Sequence, residues 1–136
     1  MIVNRGRDCG LGMTVAKKRV LVVDDDRELV ESVGTALATR GYEVLFASDG
    51  VEALARVERD RPDLMLLDLV MPRRSGFTVL DRMRRNGIRS TKVIMMAGTD
   101  EQKHRDTAAQ WGVSVFLCKP FPIEQLLSEV DIILRA

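Results

Sequence analysis

Cysteine and histidine are scarce in this chain. Its 136 residues include two cysteines and one histidine. Cys9 lies in a segment without periodicity and Cys118 lies in a predicted strand, so we expect neither a structural disulfide nor a zinc site. Free thiols are typical of a reducing compartment, which favours a cytoplasmic protein.

Long apolar runs and an excess of one charge are also missing. The apolar stretch at 64–67 is far shorter than the roughly 20 residues of a membrane-spanning helix. The first residues do not form the apolar segment of a secretion signal. The 21 basic and 20 acidic side chains nearly cancel, so no strong field indicates direct contact with nucleic acid. Such a composition predicts a soluble globular domain without membrane insertion.

Positive charge is concentrated at the start of the sequence. Residues 1–19 hold five basic side chains and one acidic side chain, a net of +4, whereas the remainder holds 16 basic and 19 acidic side chains, a net of −3. Residues 1–17 also mix three glycines with these charges and show no periodicity. This pattern predicts a flexible basic extension over 1–17, followed by a single ordered domain over 18–136.

Short apolar runs alternate with segments of helical periodicity in the rest of the chain. The runs that predict buried strands lie at 20–23, 44–47, 64–67, 93–96 and 113–117. Gly41 is placed to end the first helix in a left-handed conformation. Asp49 with Glu52, and Thr99 with Gln102, form capping pairs for the second and fourth helices. The alternation predicts an α/β fold in which helices cover both faces of a parallel sheet.

The segment at 100–111 is the least apolar of the predicted helices. Little burial holds such a helix, so we expect it to be mobile. Trp111 is expected to lie against its own domain, with a partner contact as the alternative. His104 is expected to be a solvated surface residue. A local basic region is either a solvated face or a docking patch for an acidic partner; its members are Arg73, Arg74, Arg82, Arg84, Arg85 and Arg89.

Charged residues follow three of the predicted strands. Asp24 and Asp25 follow the first strand, Asp68 the third and Lys119 the fifth. The carboxyl ends of parallel strands meet at one edge of a sheet, so these side chains should converge. Two carboxylates about 4 Å apart repel by roughly 4 kcal/mol, and Lys119, a divalent cation or both must offset that repulsion. Oxygen ligands at an exposed edge favour Mg²⁺.

A carboxylate beside a divalent cation and a lysine is the equipment of phosphoryl transfer. Asp68 would be the nucleophile in such a site and would form an acyl phosphate. The alternative is that each acidic residue is only solvated or caps a helix, as Asp26 would cap the first. A cis bond between Lys119 and Pro120 would aim the lysine back across the strand ends, whereas a trans loop proline would not.

Three stretches together resemble the receiver domains of two-component response regulators. They are residues 20–26, residues 62–72 with Gly76 following, and residues 119–121. The resemblance covers residues 19–135. It implies a flavodoxin-like fold of five β-α units with strand order 2-1-3-4-5. Because the chain ends with its fifth predicted helix, we expect a stand-alone receiver similar to chemotaxis receivers.

The resemblance implies a role for each matching residue. Asp68 would be the phosphoacceptor. The Mg²⁺ ligands would be Asp24, Asp25, Asp68 and the backbone carbonyl of Val70. Lys119 would bind the phosphoryl group. Phe116 stands at the position of the family's aromatic switch.

One position departs from the family pattern. Ala97 stands where the family carries a phosphate-binding Thr or Ser, so a charge-assisted hydrogen bond is missing. The backbone N–H of Gly98 and the side chain of Thr99 are the candidate replacements. We therefore predict that phosphorylation survives but that the conformational response through Phe116 is weaker or different.

The resemblance implies a signalling module rather than an enzyme, with Mg²⁺-assisted self-phosphorylation and slow autodephosphorylation. The donor would be a sensor histidine kinase or a histidine phosphotransfer protein, and the output an unidentified downstream protein. A phosphorylation-dependent dimer would form through the fourth helix, fifth strand and fifth helix. One alternative is an interaction module that works without phosphorylation. A Mg²⁺-dependent phosphohydrolase lacks an acid/base residue at Val70, and a flavin protein lacks a phosphate-binding loop.

Overall fold

Residues 17–71, 75–98 and 101–135 are described by the computed structural model. The strands are β1 (Arg19–Val23), β2 (Glu43–Ala47), β3 (Leu64–Asp68), β4 (Lys92–Ala97) and β5 (Val115–Cys118). The helices are α1 (Arg27–Thr39), α2 (Gly50–Asp60), α3 (Gly76–Arg85), α4 (Gln102–Gln110) and α5 (Ile123–Arg135). Of the predicted extension over 1–17, only Lys17 falls within the described residues.

The strands form one parallel sheet in the order β2-β1-β3-β4-β5. This order confirms both the predicted fold class and the arrangement that the resemblance implied. β1 and β3 are direct neighbours, and β4 separates β3 from β5. The carboxyl ends of β1, β3 and β5 therefore lie within a short reach of one another at a single edge.

Side chains alternate between two apolar cores along each strand, as the pleat requires. In β1, Val20 and Val22 enter the core that is shared with α1 and α5. Leu21 and Val23 enter the opposite core, which is shared with α2, α3 and α4. Each large side chain that is fully buried in this way contributes roughly 1.5–3 kcal/mol. The two cores explain why the strands read as continuous apolar runs rather than as alternating patterns.

Local end signals of the first two helices behave as predicted. Gly41 follows α1 with a φ of 93°, a left-handed conformation that glycine adopts without strain. Asp49 accepts a hydrogen bond from the backbone N–H of Glu52 at 2.8 Å. The Glu52 carboxylate reaches back to the backbone N–H of Ser48 at 2.9 Å rather than to that of Asp49. The reciprocal capping pair therefore exists, with its return bond displaced by one residue.

Two predictions at the fourth helix and the fifth strand were wrong. α4 begins at Gln102 with Glu101 in the capping position, so Thr99 and Gln102 do not form its capping box; Thr99 itself lies outside the described residues. β5 begins at Val115 rather than at residue 113. Val113 instead donates its N–H to the carbonyl of Ala108 at 3.0 Å and completes the end of α4.

α4 is attached to the domain mainly through the edges of polar and aromatic side chains. Ala108 is its buried residue. The His104 ring lies 6.3 Å from that of Phe77, and its side chain is only 28% exposed, so the expectation of a solvated histidine was wrong. The Arg105 guanidinium carbon lies 5.0 Å from the centre of the Phe116 ring. The sparse burial agrees with the predicted packing of α4, while its mobility stays a prediction.

Among the described residues, the longest helices contain 13 residues, and none has the length and apolar character required to cross a bilayer.

Candidate functional site

The candidate site lies where three strands end. Asp24 directly follows β1, Asp68 is the last residue of β3, and Lys119 directly follows β5. The Lys119 backbone N–H donates to the carbonyl of Ala97 at 2.7 Å, which fixes the lysine beside the end of β4. The peptide bond between Lys119 and Pro120 is cis, in agreement with the first of the two alternatives that the sequence left open.

Lys119 joins the two buried carboxylates. Its Nζ donates to Asp24 Oδ2 at 2.7 Å and lies 3.4 Å from Asp68 Oδ1. The carboxylates are almost inaccessible, with exposures of 2% for Asp24 and 5% for Asp68. Burial makes each charge costly unless it is paired. The ammonium group therefore stabilises a pair of like charges that would otherwise be driven apart.

Backbone groups hold the carboxylates in place. Asp24 Oδ1 accepts from the backbone N–H of Asp26 at 2.9 Å, and Asp68 Oδ1 accepts from that of Val70 at 3.4 Å. Asp26 itself faces away from this cluster and accepts from the N–H of Leu29 at 3.3 Å, as the cap of α1. The plain capping interpretation is therefore right for Asp26, although it does not describe Asp24 or Asp68.

The site as a whole retains excess negative charge. Burial raises the pKa of Asp68 to about 6, and the nearby charge of Asp24 raises it further, while Lys119 and the Val70 N–H oppose the shift. Burial alone would lower the pKa of Lys119, but its hydrogen bond to Asp24 and the charge of Asp68 outweigh that effect and raise it. One ammonium group therefore does not neutralise the cluster, and an additional cation would be favoured there.

The acidic residues have the spacing of a cation site. Carboxylate oxygens of Asp24, Asp25 and Asp68 lie within 4.8 Å of one another. Asp25 is exposed, whereas the other two are buried. A hard cation that retains several water ligands suits such a half-open set of oxygens, and Mg²⁺ is the common cation of that kind. The residues present therefore fit the predicted metal.

The remaining predicted residues surround this cluster at different depths. The Val70 side chain is 73% exposed, which leaves its backbone as the part of the residue near Asp68. Ala97 is buried at the end of β4, and its methyl belongs to the core beneath α4. Gly98 is exposed just beyond it. Phe116 is partly buried against the same core.

Two residues that sequence reasoning did not evaluate also contribute. A Cβ added at Gly76 would lie 2.7 Å from the carbonyl oxygen of Asp68, so the glycine allows α3 to start directly against the end of β3. Its place in the family motif was the available signal. Arg105 lies over Phe116, and nothing in the periodicity of α4 indicates that contact.

A cavity opens beside Lys119 on the opposite side from α4. It has a volume of about 340 Å³ and is lined by Asp26, Leu29, Lys119, Pro120 and Phe121. Leu29 and Phe121 provide an apolar wall next to the ammonium group. An imidazole or a similar flat leaving group would therefore meet both an apolar surface and a cation on approach to Asp68.

Comparisons with known proteins agree with one another. A family model for the response regulator receiver domain matches residues 20–131. The chain is 40% identical over 117 residues to the response regulator MprA of Mycobacterium leprae, which covers 86% of this chain and 51% of that relative. The chain thus spans about half the length of the curated relatives it matches.

Solved structures give the same result at the level of the fold. The receiver domain of the Francisella response regulator 1452 superposes with a TM-score of 0.82 at 28% identity, covering 88% of this chain and 98% of that one. Chemotaxis protein CheY4 of Vibrio cholerae superposes with a TM-score of 0.80 at 31% identity, covering 88% and 100%. All three comparisons indicate a single family.

Proposed function

Because the chain belongs to the response regulator receiver domain family, we propose that it accepts a phosphoryl group on Asp68 and relays the signal to a protein partner through a change of conformation. The observation that carries this proposal is the contact of Lys119 Nζ with both Asp24 and Asp68. A buried lysine between two carboxylates is poised to exchange one partner for a phosphoryl oxygen. Asp68 is the carboxylate it holds less closely.

In the proposed reaction, a carboxylate oxygen of Asp68 forms a bond to the phosphorus of the donor. The bond between that phosphorus and the donor's imidazole nitrogen breaks, and the nitrogen keeps the electron pair. Lys119 then donates to an oxygen of the transferred group. Charge on the remaining oxygens would be neutralised by Mg²⁺ held by Asp24, Asp25, Asp68 and the carbonyl of Val70.

The donor fits a sensor histidine kinase or a histidine phosphotransfer protein, since the cavity beside Lys119 offers a path for an imidazole. We place this exchange in the cytoplasm, where the free thiol of Cys118 would stay reduced. Slow loss of the phosphate by hydrolysis belongs to the same proposal. The dimer through α4, β5 and α5 stays a prediction.

Labelling by a small donor tests the proposal. We expect the full chain, incubated with Mg²⁺ and a small acyl phosphate, to gain one phosphate by intact mass spectrometry. Asp68→Asn should gain none, because it lacks the attacking oxygen. Asp26→Asn is the matched control at the same edge of the sheet, and it should label like the wild type.

Other outcomes of that experiment would refute the proposal. Equal labelling of Asp68→Asn would place the phosphate elsewhere. Failure of the wild type to label with either the small donor or a cognate kinase would favour an interaction module that works without phosphorylation. Sustained turnover of unrelated phosphate esters would favour a phosphohydrolase.

The second candidate, an atypical receiver that works without the usual switch, rests on Ala97. A threonine there would add a hydrogen bond to a charged phosphoryl oxygen, which is worth roughly 1.5–3 kcal/mol. We expect Ala97→Thr to raise the ratio of switched to unswitched phosphorylated protein about tenfold or more. Trp111, at the end of α4, is the fluorescent reporter. Ala97→Val has the same shape without the hydroxyl and should not show the gain; an equal response of both variants would contradict the argument.

A further inference from the structure

A basic groove lies at the opposite end of the sheet from Asp68. It is formed by the end of α3, the start of β4 and the end of α4, and it has a volume of about 230 Å³. Its apolar lining consists of Leu80, Met83, Ile88, Val93 and Trp111. Arg84 and Arg89 line its rim. The receiver function proposed above uses none of these residues.

Charge is segregated at this groove. Residues 82–92 contain five basic side chains and no acidic one, although the chain beyond residue 19 carries a net charge of −3. Asp81 is the neighbouring acid, and it pairs with Arg85 at 3.1 Å. Within the described part of the chain, neither Arg84 nor Arg89 makes an ion pair with a carboxylate. These two guanidinium groups are therefore available to an anionic partner.

Arg84 is held in position over the groove. Its guanidinium carbon lies 4.6 Å from the centre of the Trp111 ring. Stacking on an aromatic face leaves the edge of a guanidinium, with its N–H donors, free to bind a carboxylate. Trp111 and Arg84 together thus present an apolar surface and a preoriented cation side by side, which is the composition of residues that dominate binding energy at protein interfaces.

The size of the groove limits what it accepts. A drug-sized molecule or cofactor needs a pocket of roughly 300–1,000 Å³, so this groove suits one apolar side chain rather than a cofactor. Nucleic acid would require a broader basic surface and has no use for an apolar floor. We propose that the groove binds an acidic peptide segment of a partner protein, with one apolar side chain inserted beside Trp111 and flanking carboxylates on Arg84 and Arg89.

The single tryptophan of the chain lies in the groove, so its fluorescence reports occupancy directly. The probe is a short synthetic peptide with one leucine between aspartates and glutamates and no aromatic residue. We expect it to shift the Trp111 emission of the full chain in a saturable way. The same peptide with all acids changed to amides, or with leucine changed to serine, should bind at least about tenfold more weakly.

A matched pair of variants separates the groove from general charge. Arg84→Gln and Arg82→Gln each remove one positive charge from the last turn of α3, but only Arg84 lines the groove. We expect Arg84→Gln with Arg89→Gln to weaken binding roughly fivefold to tenfold, and Arg82→Gln to weaken it less than about twofold. Asp68→Asn should leave it unchanged, which separates this surface from the phosphoacceptor site.

Four outcomes would overturn the proposal. They are equal binding of the acidic and amide peptides, equal effects of Arg84→Gln and Arg82→Gln, a stronger response of Trp111 to single-stranded nucleic acid than to the peptide, and self-association of the chain through this face in sedimentation. Thermal unfolding of each variant verifies that a lost signal is not a lost fold.

Discussion

Replacement of Lys119 by methionine will destabilise the metal-free protein by about 3 kcal/mol, and Mg²⁺ will restore a large part of that loss. Asp24 and Asp68 are 2% and 5% exposed, and the variant removes the ammonium group that contacts both. Breaking a buried ion pair on one side costs roughly 3–5 kcal/mol because the other charge is left uncompensated. The Lys119 side chain is 25% exposed, so we expect the lower end of that range.

The pH dependence of this effect follows from the raised pKa of Lys119. A lysine whose pKa is higher in the folded state stabilises fully below its unfolded pKa and loses that contribution only as the pH rises through the folded value. At neutral pH the whole effect is present. Chemical unfolding with a chelator and then with added Mg²⁺ measures it, since binding to the folded state adds stability by mass action.

Lys103→Met is the control for this experiment, because Lys103 is exposed on α4. It should change the free energy of unfolding by less than about 0.5 kcal/mol, in the absence or presence of Mg²⁺. If Lys119→Met unfolded at the same denaturant concentration as the wild type in the chelator, the proposed electrostatic role of the lysine would be wrong.

Asp68→Asn will stabilise the metal-free protein at pH 8 while it abolishes phosphorylation. Folding raises the pKa of this carboxyl from 3.8 to about 6, chiefly through burial and the charge of Asp24. The folded state therefore binds a proton that the unfolded state has released between these values, and the wild type loses stability as the pH rises through that window. Asparagine has no charge to lose, so its advantage grows over the same window to about 1–3 kcal/mol.

The measurement is the free energy of unfolding of both proteins from pH 3 to pH 8 in a chelator. The two curves should meet near pH 3 and separate between about pH 4 and pH 6. Asp26→Asn should follow the wild type, because asparagine caps a helix as well as aspartate does. A constant difference across the whole pH range would mean that the charge of Asp68 is not the cause. Mg²⁺ should narrow the difference, since the wild type gains more from binding it.

The sequence predicted the strand order and the convergence of the acidic residues for the same reason. Apolar runs identify buried parallel strands, and the residues that follow such strands must meet at one edge of the sheet. Asp24, Asp68 and Lys119 could therefore be grouped although they are up to 95 positions apart. Helix ends that depend on a single glycine, such as Gly41, were predictable because backbone conformation is a local property.

Contacts between side chains of different elements were not predictable in this way. The stacking of Arg105 on Phe116, and of Arg84 on Trp111, depends on the angle at which α4 crosses the sheet, which no local pattern specifies. The partial burial of His104 against Phe77 has the same origin. At the start of α4, Glu101 takes the capping position without a side-chain hydrogen bond, so the local preference for threonine did not determine the boundary.

The length of β4 sets the spacing between the two binding surfaces. Val93 lines the basic groove, and Ala97 borders the acidic site four residues later in the strand. At about 3.3 Å per residue, the two positions are roughly 13 Å apart, which exceeds the 10–12 Å width of an α-helix. A segment docked in the groove would thus leave Asp68 open to its donor. A ternary complex is sterically allowed, and a partner tethered there would meet the newly phosphorylated domain at high local concentration.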